Sequence, residues 1–160
     1  VQATRDHRHH HANRCSKYYA DRMLYAWIVA RAYAEGPVPE LAPAVRILAD
    51  EIEAAAIRRD DGCVYWQGRA PARDTALALL TLLFAGRRGP LIDAGVAGLI
   101  SMQNPAEGGW PESVFCEGPT VNGPVIEWRS RSFTTALAFE VLARHRLQNT
   151  PGTMTTDPTP

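Results

Sequence analysis

Apolar residues recur at helical spacing along most of this chain. The pattern predicts five helices, over residues 16–34, 39–56, 72–85, 90–103 and 132–147. In the second helix, one face is formed by Leu41, Val45, Leu48, Ile52 and Ala56, which follow the i, i+4, i+7 rhythm. Charged residues occupy the opposite face. The second helix is therefore predicted to be amphipathic, with one side in water.

The third predicted helix has a different pattern. Its sequence TALALLTLLFA, residues 75–85, is apolar nearly all round, as in a helix that other helices surround. The fifth helix begins in the same way, and the first carries a stripe of Met23, Trp27, Ala30 and Ala34. No convincing strand is evident, and CVYW, residues 63–66, predicts at most a short extended piece. The predicted fold class is all-α, in which alternating buried and amphipathic helices form an α/α barrel.

Composition limits the classes of function. The 160 residues carry no net charge, which argues against a global basic field for nucleic acid, and no apolar run is long enough for a membrane span. The three cysteines are far apart and odd in number, which does not suggest a disulfide framework and favours the cytoplasm. We divide the chain into a polar N-terminal arm (1–15), a helical domain (16–148) and a disordered Pro/Thr tail (149–160).

Two segments of the helical domain repeat each other. IRRDDGCVYWQG, from Ile57, and ISMQNPAEGGWPES, from Ile100, each contain a polar turn with glycine and then a tryptophan. In both copies a loop follows, and a (D/T)TALA sequence then opens an apolar helix. The loop of the second copy, Glu112 to Arg131, has about twenty residues, and such a loop in a compact helical domain is more often functional than idle.

These repeats resemble those of a known superfamily. QNPAEGGW, Gln103 to Trp110, is similar to the Q…GxW repeat of the squalene–hopene cyclase and prenyltransferase α/α-toroids, and DDGCVYW is similar to a degenerate copy. The resemblance covers about residues 18–146. It implies a partial barrel of inner and outer helices, with about three helical hairpins. It also implies an isoprenoid or polyene substrate, and structural roles for Gln103 and Trp110.

The resemblance does not extend to the catalytic acid of class II terpene cyclases. Those enzymes share a DxDD motif followed by Thr-Ala, and aligning that pair on Thr75 and Ala76 places the last aspartate at Asp74 and the central acid at Arg73. An arginine stays protonated at neutral pH and cannot act as a Brønsted acid. Any protonation therefore needs another residue.

Four carboxyl groups are candidate catalytic acids: Asp74, Asp61, Glu112 and Glu127. Burial against Trp110 or Trp128 would raise the pKa of either glutamate toward general-acid use. Asp61 precedes Gly62, and this pair is more often a solvated turn than an acid site.

Basic residues stand at the starts of the three inner helices, where the helix dipole disfavours cations. In a toroid these starts meet at one mouth of the barrel, so that arginines and free N–H groups would form an anion site above an apolar cavity. A prenyl diphosphate fits such a site, and aromatic rings nearby would face a carbocation. The predicted substrate-binding residues are Arg73, Arg131, Arg129, Lys17, Tyr19, Trp66 and Trp128. The alternative is that each arginine pairs with a nearby acid and that the aromatic rings belong to the core.

Two hypotheses follow. The first is a terpenoid-cyclase-like enzyme that cyclises or isomerises an isoprenoid and needs no metal or cofactor; the histidine-rich sequence at residues 7–11 is better explained as an arm than as a metal site. The second is a non-catalytic half-toroid that binds a hydrophobic ligand, or docks to a companion domain or to a second copy of itself. The short chain and the missing acid favour the second. The repeats, the apolar inner helices and the basic residues at their starts favour the first, which is the expected function.

Overall fold

The computed structural model of the chain describes residues 22–36, 38–118 and 126–149. They form five α-helices, α1 (Arg22–Glu35), α2 (Ala42–Ala54), α3 (Pro71–Phe84), α4 (Pro90–Ser101) and α5 (Arg131–Asn149), with a 3-10 helix (Pro39–Leu41) before α2. Two antiparallel strand pairs lie between helices: β1 (Ile57–Arg58) with β2 (Val64–Tyr65), and β3 (Ser113–Gly118) with β4 (Ile126–Ser130). This part of the chain is mostly helical, as predicted, but it is not all-α.

Several predictions concern residues outside these ranges. They include the polar arm (1–15), the start of the first predicted helix and the tail beyond Asn149, together with Lys17 and Tyr19. Within the described ranges, none of the helices has the length and apolar character needed to cross a membrane.

Proline and glycine set the ends of α3 and α4, close to the predicted positions. Pro71 and Pro90 lie in the first turns of these helices, where a missing N–H removes no helical hydrogen bond. Gly86 has a φ of +75° just after α3, and the N–H groups of Gly86 and Arg87 bond back to the last turn of the helix. The chain therefore turns sharply from α3 into α4.

Helix α3 is the centre of the fold and contacts the four other helices. Every residue from Ala72 to Phe84 is buried, which confirms the prediction from its apolar sequence. The amphipathic character of α2 is also confirmed, because Val45, Leu48 and Ile52 are buried. Arg46 and Asp50, on its other side, are exposed.

The buried face of α1 differs from the predicted stripe. The buried residues are Leu24, Tyr25, Ala26, Val29 and Ala30. Of the predicted stripe, Trp27 is half-buried and Ala34 is exposed. Apolar residues fill most positions of RMLYAWIVARAYAE, so that periodicity alone does not select the face that packs inward.

Helices α3 and α5 run parallel. Near their N-termini both helices bond to β3, α3 through Arg73 and α5 through Thr134. Near their C-termini, the guanidinium carbon of Arg144 lies 4.0 Å from the centre of the Phe84 ring. The starts of α3 and α5 therefore lie side by side.

The C-terminal end of α1 joins the same group of helices. The guanidinium of Arg31 lies 6.0 Å from the Phe84 ring centre and 3.6 Å from the Glu140 carboxylate of α5. Between these helices, the side chains at 0% exposure include Leu77, Leu79, Leu80 and Leu82 of α3. These four side chains are therefore fully packed against their neighbours, and the apolar cavity stays a prediction.

The strands agree with the sequence at one place and correct it at another. The β1–β2 pair contains Val64 and Tyr65, so the short extended piece predicted at CVYW is confirmed. The β3–β4 hairpin shows that the expectation of no convincing strand is wrong for the long loop. The sequence of β4, Ile126–Ser130, does alternate apolar and polar residues, but the strand is short and four of its five residues are exposed, so that no buried face marks it as a strand.

Candidate functional site

Most of the predicted site residues meet where the N-terminal ends of α3 and α5 contact the β3–β4 hairpin. We call this region the hairpin junction. Its residues are Arg69, Arg73, Asp74, Ser113, Val114, Glu127, Arg129, Arg131 and Thr134.

Arg73 and Asp74 form a buried ion pair at the start of α3, with side chains that are each 1% exposed. Arg73 Nε donates to Asp74 Oδ1 over 2.9 Å, and Arg73 Nη1 donates to the Val114 carbonyl of β3. The second carboxylate oxygen, Asp74 Oδ2, accepts from the Ala70 N–H over 2.9 Å. The pair therefore ties the hairpin to the helix, and a substrate would reach it only if the hairpin moved away.

Gly68 shows how closely the chain packs around this carboxylate. A Cβ at Gly68 would overlap Asp74 Oδ2. The backbone before α3 thus covers Asp74 on one side, while the Arg73 guanidinium covers it on the other. Both features are typical of a structural carboxylate, which is satisfied by hydrogen bonds from its own chain.

In the second repeat, the same hairpin is held to the start of α5 by uncharged side chains. Thr134, which aligns with Asp74, is 0% exposed, and its Oγ1 lies 2.7 Å from the Ser113 hydroxyl. Adjacent residues of β3, Ser113 and Val114, are therefore held by α5 and α3 respectively. The partner of Thr134 could not be foreseen from the sequence, because the hairpin itself was not predicted.

Two tryptophans show that the internal repeat is structural. The Trp66 ring N–H donates to the Ile52 carbonyl of α2 over 2.6 Å, and its backbone N–H donates to Thr75 Oγ1 over 3.1 Å. In the second copy, the ring N–H of Trp110 donates to the Leu99 carbonyl of α4 over 2.7 Å. Its backbone N–H donates to Thr135 Oγ1 over 3.1 Å, as in the first copy.

Each tryptophan therefore joins the end of one helix to the start of the next. Trp66 is 0% exposed and lies in the core, so it does not present its ring to a substrate. Gln103, for which the resemblance implies a structural hydrogen bond, donates from Nε2 to the Gly108 carbonyl over 2.8 Å and closes the turn before Trp110.

Glu127 lies between two arginines on the surface of the hairpin junction. Its carboxylate is 2.8 Å from Arg129 and 3.2 Å from Arg69. The hydrogen bond from Arg129, and then the charges of both arginines, lower the pKa of Glu127, and the same contact raises the pKa of Arg129. The predicted rise in the Glu127 pKa is therefore wrong, because the residue is surrounded by cations instead of apolar rings.

The remaining junction candidates are exposed. Glu112 lies on the surface and is not buried against Trp110, contrary to the expectation for a general acid. Arg131 pairs with Glu107, an acid that sequence reasoning missed. Trp128 is 46% exposed on β4, the one predicted aromatic face among the described residues that solvent reaches freely.

Asp61 lies away from the hairpin junction, in the turn between β1 and β2. Its Oδ1 accepts from the Cys63 N–H over 2.9 Å, and its Oδ2 lies 3.0 Å from Arg59. The backbone hydrogen bond is the main cause that lowers the pKa of Asp61. Partial burial, with the Asp61 charge, raises the pKa of the Cys63 thiol. The geometry is that of a solvated turn.

Across the hairpin junction, the arginines are paired with acids of the same chain. This matches the alternative in which each cation has a local partner, although Glu107 was not among the partners foreseen. Within the described ranges, no three His, Cys, Asp or Glu side chains come close enough to hold a metal ion. Comparison with protein-family models, with curated proteins and with solved structures finds no match to this chain.

Proposed function

We propose that this chain is an arc of an α/α-toroid and acts as a non-catalytic docking module for a partner protein. The observation that carries the proposal is the buried Arg73–Asp74 pair, which occupies the position of the cyclase acid and fastens the hairpin to α3. A catalytic acid has to reach its substrate and hold a proton near neutral pH. Asp74 is enclosed by its own chain, and Glu127 has a lowered pKa.

Exposed apolar side chains support a docking role. Phe139 on α5 is 57% exposed, and Trp128 and Ile126 on β4 are 46% and 45% exposed. Large aromatic residues on a surface are common anchors of protein–protein interfaces. A toroid built from repeats also buries its inner surfaces by stacking one helical hairpin on the next, so that an arc of it leaves edges for another module to cover.

The proposal is tested by an activity assay on the purified chain. Farnesyl diphosphate, geranylgeranyl diphosphate and squalene are incubated with the wild-type protein and with Asp74→Asn and Glu127→Gln variants, and products are analysed by gas chromatography–mass spectrometry. We expect product levels equal to those of a protein-free blank. Turnover that either substitution abolishes, in a variant that remains folded, would overturn the non-catalytic proposal.

One observation favours the enzyme as a second candidate. The starts of α3 and α5 lie side by side, and three exposed arginines lie near them, each paired with a glutamate: Arg69 and Arg129 with Glu127, and Arg131 with Glu107. Exchange of their carboxylate partners for a diphosphate would create the anion site that the sequence predicts. Binding of inorganic pyrophosphate, measured by calorimetry and lost in Arg129→Ala, would support this candidate. Heat no larger than in a buffer blank would contradict it.

A further inference from the structure

The two repeats differ in how their tryptophan layer is covered. In the first repeat, helix α4 lies over the layer. A Cβ at Gly95 would come 2.8 Å from Leu79 Cδ2 and 3.1 Å from Trp66 Cζ3, and a Cβ at Gly98 would overlap the Val64 carbonyl. Two small residues three positions apart thus allow α4 to sit directly on the first repeat.

In the second repeat, two of the three matching positions are open to solvent, whereas the third, Trp110, is buried at 1% exposure. Gly108 precedes Trp110 by two residues, as Val64 precedes Trp66. Phe139 follows Thr135 by four residues, as Leu79 follows Thr75. Leu79 is 0% exposed beneath α4, whereas Phe139 is 57% exposed and its ring meets Trp110 edge-on, with the ring centres 6.0 Å apart.

These positions form a groove of about 410 Å³ beside α5. We call it the open seat. It is lined by Glu107, Gly108, Gly109, Arg131, Ser132, Thr135, Ala136 and Phe139. Its floor is backbone and small or apolar side chains, and the Glu107–Arg131 ion pair lies at its polar edge. An apolar floor with a charged rim is the usual composition of a protein interface.

The open seat of the second repeat corresponds to the surface that α4 covers in the first repeat. We therefore infer that it binds an α-helix of a partner protein that presents two small residues three positions apart, as Gly95 and Gly98 do on α4. The inference rests on the proposed docking function and names the partner surface. A partner helix with larger residues at these positions would meet the Phe139 ring and the backbone of residues 108–109 before its flanking aliphatic side chains could make contact.

A second copy of the chain is a poorer occupant. The Gly95–Gly98 face of α4 is already engaged with Trp66, Leu79 and Val64 of its own chain. A copy would have to release this contact, and with it the cover of its own first repeat, before it offered the same face to a neighbour. The occupant named by this inference is a free helix of this kind on a partner protein.

The probe for the test is a fluorescein-labelled peptide with the sequence of residues 90–103, PLIDAGVAGLISMQ. A hydrocarbon staple at the positions of Asp93 and Ala97, both exposed in α4, holds it helical without touching the small-residue face. Its control carries leucine at the positions of Gly95 and Gly98. Fluorescence anisotropy measures binding to the full chain, to Ala136→Arg and Ser132→Arg, and to Leu147→Arg.

Ala136 and Ser132 are exposed and line the open seat, whereas Leu147 is 75% exposed on the same helix outside it. We expect saturable binding to the wild type and to Leu147→Arg, and at least about tenfold weaker binding in the two groove variants and for the leucine peptide. Circular dichroism checks that each variant is folded. If one of the two groove variants is unfolded, the conclusion is drawn from the other.

Three outcomes would overturn the inference. They are no saturation up to about 1 mM peptide, equal binding of the two peptides, or groove variants that bind as well as the wild type. A wild-type dimer in sedimentation that Ala136→Arg dissociates would overturn the choice of partner in favour of a second copy. Turnover of an isoprenoid would contradict the proposed non-catalytic function but would not change the peptide-binding result. Failure of the proposed function can therefore be told apart from failure of this inference.

Discussion

Gly95 of α4 lies against the ring of Trp66, and a Cβ at that glycine would come 3.1 Å from the ring atom Cζ3. Helix α4, whose last residues open the second repeat, therefore covers the tryptophan of the first repeat. Gly98 makes the same approach one turn further on, to the backbone of Val64. The two glycines thus set the distance between α4 and the first repeat. Gly95 faces side chains, whereas Gly98 faces backbone.

We expect Gly98→Ala to destabilise the fold by about 2 kcal/mol or more, because the new Cβ overlaps the Val64 carbonyl and a strand backbone cannot move aside. Gly95→Ala should cost less, since the Leu79 methyl group can shift and alanine gains about 1 kcal/mol of helix propensity. Urea unfolding monitored by circular dichroism gives both values. Ala97→Leu, on the exposed side of α4, is the control and should change stability by less than about 0.5 kcal/mol. Equal effects at the two glycines would contradict this packing.

The buried ion pair gives a second prediction. Arg73→Met removes the guanidinium but leaves the Asp74 carboxylate buried, so we expect a loss of about 3–5 kcal/mol in the free energy of unfolding. The Val114 carbonyl also loses its donor, and hydrogen exchange of β3 should accelerate more than that of α4. Arg69→Met is the matched control, because Arg69 pairs on the surface and should contribute less than about 1 kcal/mol. Similar losses in both variants would show that Arg73 does not fasten the hairpin.

The equivalence of the two tryptophans gives a third prediction. Trp66→Phe and Trp110→Phe each remove the ring N–H donor to a helix-end carbonyl, at Ile52 and Leu99 respectively. The Ile52 and Leu99 carbonyls keep a backbone donor each, Ala55 and Met102 respectively, but lose the ring donor. The lost hydrogen bond and the space left by the smaller ring should together cost about 1–3 kcal/mol, measured by denaturant unfolding. Trp128→Phe, on the exposed face of β4, should be nearly neutral. A cost at only one of the two buried positions would mean that the repeats resemble each other in sequence but not in their energetics.

The helices were predictable because their signals are local. Pro71, Pro90 and Gly86 mark helix ends through backbone constraints that any context preserves, and the all-round apolar sequence of α3 has few ways to be satisfied except at the centre of a helical fold. The face of α1 was not predictable, since nearly all of its positions are apolar and the choice depends on its neighbours. The β3–β4 hairpin was missed because backbone pairing defines it and four of its five β4 residues are exposed.

The candidate site was predictable in its location but not in its electrostatics. The repeat alignment brought Arg73, Asp74 and Thr134 to the starts of parallel helices, where they are found. The alternative of local pairing allowed for the contact of Arg73 with Asp74, its neighbour in sequence, but not for the bond to the Val114 carbonyl, because Val114 is distant in sequence and belongs to the hairpin. The partner of Arg131, Glu107, was missed for the same reason. Arg69 and Arg131, which were predicted to bind an anion or lie near one, instead form ion pairs with Glu127 and Glu107 of the same chain.

Glu127 provides a prediction that depends on pH. Its pKa in the folded chain is below the ordinary value of 4.5, chiefly through the hydrogen bond from Arg129. A carboxyl group with a lowered folded pKa contributes stability that is present above its unfolded pKa and is lost as the pH falls through the folded pKa. The contacts of Glu127 with Arg129 and Arg69 should therefore persist at neutral pH and weaken only in acid below about pH 4.5.

This behaviour is measured by carbon-13 NMR titration of the Glu127 carboxyl group, with Trp128 fluorescence as a second probe. Arg129→Ala should move the midpoint up toward 4.5, and Arg69→Ala should move it less, because Arg69 lies farther from the carboxylate, at 3.2 Å against 2.8 Å for Arg129. In Glu127→Gln the acid transition of Trp128 fluorescence should disappear. A midpoint above 4.5 in the wild type would reverse the sign of the argument and return Glu127 to consideration as a general acid.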